Sequence, residues 1–511
     1  MSKQKRTNVN AQNLIFWASL CLFTALAAWQ AFAGLGDGSV YDWDEARQGV
    51  NAYEMLRSGN YLVNTYDSQT DYWNVKPPLS MWANVAAYKL FGCNPMGLRF
   101  FSALSLPLSA AASMLFLWRR VGTPAALCAG FLFAATGTRF YHLFRTGDPD
   151  ALFFLWCLLG CVFLYLAFQG DARWLVGAGL CTALGFLTKS MHVAAPAAVI
   201  ALSLLLGRGA RRFSAQQLLL YLLLPAAAPV LLWAVLRFGQ DGLEFFRQML
   251  LLDVLNRVTS VVENHRGGPL FYITVLRNLL GGWVFWGVLL LIAAWIAVDL
   301  TSEKRPPNDK AFILIFALMF GVTMLIFTVS STKLGWYMYP SLIGFYMLAA
   351  YGAQRLFDRA AASGKRAVAG YAMAAVCCLP VLAGGFLPPY RNIDSIASTS
   401  SADSVFTQLK GEDIAGVYYL VDTAGNQVPI MENGGYAVNM PQSWVLQGIY
   451  QGAEHRAGGL EAFAAAPAGQ RAMLVVKYET QGVLAVFLTE HPTFAPRAQS
   501  QGFALLEEKE S

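Results

Sequence analysis

The sequence carries little charge. Only 13% of its 511 residues are Asp, Glu, Lys or Arg, whereas 56% are hydrophobic. Soluble domains carry roughly 25% charged residues. This composition excludes an ordinary soluble protein and indicates that most of the chain is surrounded by lipid.

Cysteine is scarce, and its distribution excludes a disulfide framework. Of the eight cysteines, only Cys93 lies in a predicted outer loop, and the others fall in apolar stretches. A disulfide-stabilised domain would carry paired cysteines in its loops. We therefore interpret the cysteines as small residues in packed helices.

Nucleotide-binding signals are also missing from the sequence. No glycine-rich phosphate loop indicates ATP or a nucleotide sugar as a substrate. The net charge of +6 is mostly a bias of loops on one side of the membrane, so it does not indicate nucleic acid. We expect neither a nucleotide nor a nucleic-acid partner.

Long apolar windows dominate what is present. A helix of roughly 20 residues crosses a hydrocarbon core of about 30 Å, and lipid excludes unpaired backbone groups. The sequence therefore predicts an α-helical polytopic protein with about eleven spans by the same length criterion. The windows lie near 14–33, 98–118, 124–140, 150–169, 174–190, 192–207, 217–236, 278–298, 311–329, 335–352 and 367–387.

Basic residues set the predicted orientation. Short loops rich in Lys and Arg stay in the cytoplasm. Lys3, Lys5 and Arg6 place the N-terminus inside, and basic clusters recur at every second loop thereafter. A cleaved signal peptide is the alternative for Met1 to Ala33, but this apolar stretch is too long, so we predict a retained helix in the cell inner membrane.

The last part of the chain is more polar. Short runs rich in β-branched residues, Val417 to Val421 and Met473 to Val476, lie between predicted helices at 402–410 and 480–490. We predict a transmembrane domain over residues 1–389 and a small extracytoplasmic α/β domain over 390–511.

The first outer loop carries acids at the start of a predicted helix. Asp44 suits an N-cap, and it also suits a general base at the membrane surface, where partial desolvation raises a carboxyl pKa. The two roles are compatible. Asp42 and Glu45 could share the catalytic work or orient Arg47, and the sequence does not rank them.

Lysines and arginines at the outer ends of the predicted spans are candidates for phosphate binding. Lys76 opens an interfacial helix over Leu79 to Phe91, where it suits a headgroup phosphate or a snorkelling role. Arg145 is a basic partner for the nearby carboxylates. Lys189 lies between two apolar runs and needs a partner, for which a phosphate is a natural candidate. Lys333 could clamp a phosphate. Tyr337 suits stacking on a sugar or an interfacial aromatic belt.

Asp148, Asp150 and His265 complete the candidates. Two carboxylates at this spacing can hold a divalent metal or position a hydroxyl group. The structural alternative for Asp148 is capping of the helix that starts at Pro149. A lone histidine such as His265 is more often a hydrogen-bonded loop residue than a metal ligand.

These polar clusters come from five segments predicted on one side of the membrane. Lys76, Lys189 and Lys333 lie on the side where the positive-inside rule does not favour them. A joint site for an anionic lipid headgroup is the simplest explanation.

The motifs together resemble those of the GT-C membrane glycosyltransferases, of the protein O-mannosyltransferase and aminoarabinose (lipid A) transferase type. The resemblance covers about 38–345. It is carried by the motifs at 44–47, 76–78, 148–150, 188–189 and 333–340, and by His265 ahead of Gly-Pro.

This resemblance implies a polyprenyl-phosphate sugar donor, often with a divalent metal. It implies Asp44 as the base, Lys76, Lys189 and Lys333 as donor-phosphate contacts, and His265 as a possible metal ligand. Two departures affect these expectations. Val75 stands where such relatives have an acid, which bears on metal use, and Ser190 stands where glycine is common, which bears on the local turn.

We therefore predict a glycosyltransferase that moves a sugar to a lipid, glycan or protein acceptor by direct displacement with inversion. Asp44 would take the acceptor proton while the cations stabilise the leaving phosphate. A transporter or flippase is the main alternative. Such proteins place their sites near the midplane and show repeats, whereas the midspans here are nearly free of charge.

Overall fold

A computed structural model of the chain describes residues 3–37, 40–41, 44–66, 68–137, 142–207, 212–256, 265–300, 309–364, 416–420, 442–450, 455–456, 472–477, 481–500 and 503–509. The predicted span 367–387, the predicted helix 402–410 and Asp42 lie outside these residues.

The described residues are mostly helical. The helices are α1 (Lys3–Phe32), α2 (Asp44–Ser58), α3 (Leu79–Phe91), α4 (Pro95–Arg120), α5 (Thr123–Thr136), α6 (Asp150–Phe168), α7 (Trp174–Lys189), α8 (Ala194–Leu206), α9 (Ala215–Gln217), α10 (Leu224–Asp241), α11 (Glu244–Met249), α12 (Phe271–Leu280), α13 (Gly282–Leu300), α14 (Asp309–Val329), α15 (Ser341–Ala362), α16 (Gln442–Tyr450) and α17 (Gln481–Glu490). Short 3-10 helices at Ser190–Val193 and Gly335–Met338 and π-helical turns at Leu218–Leu223 and Leu250–Asn256 join or extend them.

The chain divides into two compact units. The first comprises Met1–Ala33, Val75–Ser80 and Phe101–Ile393, and the second comprises Gly34–Asn74, Met81–Phe100 and Asp394–Ser511. This grouping places the first outer loop with the C-terminal segment, so it differs from a simple boundary at residue 390. The predicted division into 1–389 and 390–511 stays a prediction.

The first unit is a helical bundle of apolar helices. Within it α5 packs on α1 and α15, α6 packs on α7, and α14 packs on α8 and α15. Gly344 permits the close approach of α14 and α15, because a Cβ there would lie 2.2 Å from the carbonyl oxygen of Phe316. Small residues serve helix contacts in lipid in this way.

Six helical stretches of the described residues are long and apolar enough to cross a membrane, or seven if the bent pair α12 and α13 forms one span. The polytopic helical class is therefore confirmed, whereas the count of about eleven spans by length is not. Two features of the helices lower the count. The windows 174–190 and 192–207 form one stretch of 33 residues, and α5 is too short to count as a span.

The second unit combines α2 and α3 with strands. A two-stranded antiparallel pair, β1 (Thr65–Tyr66) and β2 (Gln69–Thr70), follows α2. The C-terminal strands are β3 (Gly416–Leu420), β4 (His455–Arg456), β5 (Ala472–Lys477), β6 (Phe494–Ser500) and β7 (Phe503–Glu508). They form one sheet in the order β4-β3-β5-β7-β6.

The sheet is mixed. β3 is parallel to β4 and β5, and β7 is antiparallel to β5 and β6. A parallel pair requires a long crossover connection, and β3 and β5 are far apart in the sequence, whereas β6 and β7 follow one another as a hairpin. The runs expected near 417–421 and 473–476 correspond to β3 and β5, and the helix expected near 480–490 is α17.

Candidate active site

Lys189 and Asp150 form a buried ion pair. Asp150 is the first residue of α6 and Lys189 is the last residue of α7, and the ammonium donates to the Asp150 carboxylate. The two residues are only 4% and 6% exposed. Because a lone buried charge loses several kcal/mol of hydration, each charge stabilises the other. The predicted need of Lys189 for an anionic partner is thus met within the protein by a carboxylate.

A second pair, His142 and Asp148, lies in the loop before α6. His142 Nδ1 and Asp148 Oδ2 share a hydrogen bond of 2.6 Å, and the His142 ring lies 4.3 Å from that of Trp336. Asp148 therefore binds His142 instead of capping the helix, whose N-terminal residue Pro149 has no side-chain cap. Asp148 Oδ1 is buried and has no hydrogen-bond partner among the described residues.

Tyr337 connects these pairs through aromatic contacts. Lys189 Nζ lies 5.6 Å from the centre of the Tyr337 ring, and the His192 ring packs edge-on against Tyr337 at 4.7 Å. Trp336, its neighbour in the chain, carries the contact to His142. We call the set the acid–lysine cluster, and its members are His142, Asp148, Asp150, Lys189, His192, Trp336 and Tyr337.

The turn after Lys189 is strained at Ser190, the position where the sequence analysis expected serine to affect the turn. Ser190 has a φ of +48°, in the left-handed region that favours glycine. Lys189 ends α7 and Ser190 starts a 3-10 helix, so the turn brings His192 towards Tyr337. Serine at this position therefore leaves the turn strained, and the surrounding structure holds the turn in that conformation.

Arg145 and Lys333, both predicted phosphate contacts, bind backbone carbonyl groups. Arg145 donates to the carbonyl oxygens of Gln30, Ala31 and Ala33 at the end of α1. Lys333 Nζ donates to those of Thr328 and Ser330 at the end of α14, at 2.9 and 2.6 Å. Cations at helix C-terminal ends bind unsatisfied carbonyl groups and oppose the helix dipole. The structure thus gives both residues a structural role.

The predicted metal ligands are not assembled in the part of the chain that the structure describes. There no group of three or more His, Cys, Asp or Glu residues is placed to hold a metal ion. Asp148 binds His142, Asp150 binds Lys189, and the His265 carbonyl oxygen accepts a hydrogen bond from the Lys333 amide. Use of a divalent metal by the chain therefore stays a prediction.

The second unit positions the candidate base Asp44. This residue begins α2 and is half-buried, and with Glu45 it places two acids in the first turn, where the helix dipole favours negative charge. Glu45 is fully buried and accepts two hydrogen bonds from Arg99, of 2.6 and 3.0 Å. It also accepts one from the Tyr41 amide. Glu45 is therefore engaged structurally and is a poor candidate to share proton transfer with Asp44.

Arg47 of α2 forms a buried ion pair with Asp71, which follows β2. Two hydrogen bonds of 2.8 Å join them, and the guanidinium lies over the rings of Tyr66 and Trp73. Burial alone would raise the pKa of Asp71. The charge of Arg47 and the hydrogen bonds to the carboxylate from Arg47, the Asn74 amide and Asn51 outweigh burial and hold that pKa below its usual value.

This pair should make the second unit more stable above pH 5 than below pH 4, since an unfolded Asp titrates at about 3.9. A carboxylate whose folded pKa is lowered contributes stability above its unfolded pKa and loses it as pH falls through the folded pKa. We expect Asp71→Asn to lower the thermal inactivation midpoint by an amount that is constant near neutral pH and shrinks on acidification. A difference independent of pH would contradict this.

Lys76 is half-buried and lies in the segment Val75–Ser80, immediately before α3. The helix expected over Leu79 to Phe91 is confirmed as α3, and its position at the membrane interface stays a prediction. Sequence analysis did not select Arg99, the partner of Glu45, or His142. Arg99 had a detectable signal, because a charged residue inside an apolar helix needs a partner.

A family model described as dolichyl-phosphate-mannose-protein mannosyltransferase matches residues 75–233. A Pseudomonas fluorescens protein named undecaprenyl phosphate-alpha-4-amino-4-deoxy-L-arabinose arabinosyl transferase 2 is 28% identical over 61% of this chain and 56% of its own length. An Erwinia tasmaniensis arabinosyl transferase of the same name, without the number, is 27% identical over 60% and 54%. The chain thus spans little more than half the length of these relatives.

The crystal structure of ArnT from Cupriavidus metallidurans bound to undecaprenyl phosphate is similar to this chain in fold. Its TM-score is 0.63 at 16% identity, and the match covers 96% of this chain and 98% of ArnT. The apo form gives a TM-score of 0.64.

The described helices and the similarity to ArnT define a polytopic α-helical membrane protein with an ArnT-like fold. The resemblance predicted from the sequence, to GT-C membrane glycosyltransferases of the aminoarabinose transferase type, is confirmed.

Proposed function

We propose that the chain is a membrane glycosyltransferase that transfers a sugar from a polyprenyl-phosphate carrier. The names of its relatives support undecaprenyl phosphate as the carrier and 4-amino-4-deoxy-L-arabinose as the sugar. The acceptor is a hydroxyl or phosphate group of a lipid, such as lipid A, or of a glycan or a protein.

The observation that carries the proposal is the acid–lysine cluster. A buried ammonium, a buried carboxylate oxygen of Asp148 without a described partner, and the Tyr337 ring come together at the ends of apolar helices. An ammonium neutralises a phosphate, an unpaired carboxylate oxygen accepts from a sugar hydroxyl or amine, and an aromatic face packs on a sugar ring. A polyprenyl-phosphate sugar presents a phosphate, hydroxyl or amine groups and a sugar ring, and so fits these three interactions.

The mechanism assigns roles to the candidate residues. Asp44 removes the proton of the acceptor hydroxyl as that oxygen attacks the anomeric carbon, and the bond to the carrier phosphate breaks with inversion. Lys76 and Lys189 stabilise the charge that develops on the departing phosphate. Lys333 and Arg145 act through the helix ends that they bind, and no step passes through a metal.

The orientation is part of the proposal. The basic loops support a cytoplasmic N-terminus and place the acid–lysine cluster at the extracytoplasmic face of the inner membrane. The C-terminal strands and helices then belong to an extracytoplasmic α/β domain. A donor that is already activated as a lipid phosphate needs no nucleotide at that face.

A transporter or flippase is the rival function. Its site would be expected near the bilayer midplane, in discontinuous helices. The sequence relatives are transferases by name, and this favours group transfer.

The test is sugar transfer in membrane vesicles that contain the purified chain, a panel of labelled polyprenyl-phosphate sugars and native membrane acceptors. We expect label from an aminoarabinose donor to appear in an acceptor fraction. Movement of intact labelled lipid between leaflets, without release of carrier phosphate, would support the flippase. Chelation followed by addition of single divalent ions tests the metal: transfer lost and then restored would support one.

A further inference from the structure

The first outer loop and the C-terminal segment share one hydrophobic core in the second unit. The buried residues that form it come from the segments 40–98, 445–449 and 505. Helix α16 packs directly on α2, the helix that begins with Asp44. The C-terminal segment is therefore structurally part of the support of the candidate base.

The contact between α2 and α16 is close. A Cβ added to Gly49 would lie 2.4 Å from Leu446 Cδ2 and 3.1 Å from the Tyr88 hydroxyl. Distances below 3.0 Å require a displacement, and Leu446 is fully buried. A methyl group at position 49 would therefore require Leu446 to move, and glycine permits the present approach of the two helices.

A pair of tyrosine hydroxyl groups closes the same contact. Tyr88 of α3 and Tyr450 of α16 share a hydrogen bond of 2.9 Å, and their rings pack edge to face at 6.4 Å. The Tyr88 hydroxyl also lies 3.5 Å from the Gly49 carbonyl oxygen. Burial raises the pKa of Tyr88, so its hydroxyl stays neutral and bonded.

We infer that helix α16 is a positioning element for the transfer reaction: Leu446 and Tyr450 hold α2, and with it Asp44, against α3. The effect on catalysis rests on the proposed function, whereas the positioning of α2 by α16 rests on the contacts described above. Glu45 and Arg99 fix the first turn of α2 from one side, and α16 fixes the middle of the helix through Gly49. Because a base must be held to within a fraction of an ångström, a displaced α2 lowers the rate without weakening donor binding.

The test uses the full chain and a compensating pair. Gly49→Ala should push α16 from α2 and lower kcat by roughly tenfold or more, within the hundredfold that a misplacement of about 1 Å can cause. The KM for the donor should stay unchanged. Adding Leu446→Val, which removes a methylene beside the new methyl group, should restore most of kcat. Tyr450→Phe should lower kcat in the same direction.

The matched control is Leu484→Val. Leu484 lies on α17, is as buried as Leu446 and is not part of the shared core. Gly49→Ala with Leu484→Val should stay as slow as Gly49→Ala alone. Recovery in both double variants, or equal effects on kcat and KM in Gly49→Ala, would overturn the inference and indicate general destabilisation.

Hydrogen exchange of the α2 amides gives a readout that needs no activity. Gly49→Ala should reduce protection over 44–58, and Leu446→Val should restore it. Unchanged protection in Gly49→Ala overturns the positioning role even if transfer is observed. Conversely, loss and recovery of protection in a chain that transfers no sugar supports the contact and counts against the proposed function alone.

Discussion

Asp44→Asn should abolish most sugar transfer while leaving the protein folded and inserted. A positioned general base contributes roughly 10²–10⁴-fold to rate, so kcat should fall by that order. Asparagine is as good a residue as aspartate at a helix start, so α2 should form normally. The measurement is kcat for the purified variant in vesicles, normalised to protein that elutes as a single species.

The control for this prediction is Asp37→Asn. Asp37 is an exposed acid in the same outer loop, so its variant removes the same charge near the membrane surface without touching α2. We expect the Asp37→Asn variant to transfer sugar with the kcat of wild type. A wild-type kcat in Asp44→Asn would show that the base lies elsewhere, because Glu45 next to it is bound by Arg99.

Helices could be predicted from the sequence because the signals for them are local. An apolar run of sufficient length must be helical in lipid, and α1, α4, α6 and α14 fall where the windows predict them. Span counts are less reliable, because a turn inside an apolar stretch can be taken for a boundary between two spans. At Ser190 the sequence separates the windows 174–190 and 192–207, whereas the structure has one stretch of 33 residues there.

Ion pairs could not be predicted because the partners are distant in sequence. Glu45 and Arg99 are separated by 54 positions, and Asp150 and Lys189 by 39. The sequence indicates only that a buried charge needs some partner. Phosphate and carboxylate meet that need equally well, so Lys189 could be selected from the sequence while Asp150 was assigned to a different role.

Arg145 and Lys333 illustrate the same limit for cations at helix ends. A lipid phosphate and the free carbonyl groups of a helix terminus both present oxygen atoms to an ammonium or a guanidinium. The positive-inside rule identifies a lysine as unusually placed, but it does not say which oxygen it binds. The contacts of Arg145 with α1 and of Lys333 with α14 assign both to helix ends.

The ion pair of Lys189 and Asp150 leads to the second large effect. Lys189→Met should abolish transfer and also destabilise the protein, because removal of one partner of a buried pair leaves the other charged and costs about 3–5 kcal/mol. A loss of activity in this single variant therefore does not separate a phosphate contact from a structural ion pair.

The double variant Lys189→Met with Asp150→Leu separates these roles. Replacement of a whole buried pair by apolar side chains is often neutral or stabilising, so the thermal inactivation midpoint should return towards that of wild type. Transfer should stay far below that of wild type, because the Lys189 ammonium that acts with Lys76 on the leaving phosphate is gone. Recovery of transfer together with stability would mean that Lys189 serves the fold alone.

Arg237 and Asp241 provide the matched control for this double variant. They form another ion pair, with an N–O distance of 2.6 Å on α10, in which Arg237 is buried and Asp241 is partly buried. Neither residue belongs to the acid–lysine cluster. Arg237→Met with Asp241→Leu removes the same two charges from the membrane domain, and we expect it to keep kcat. Loss of both charges should thus be tolerated on α10. It should not be tolerated between α6 and α7, because Lys189 of that pair is a cation that acts on the leaving phosphate.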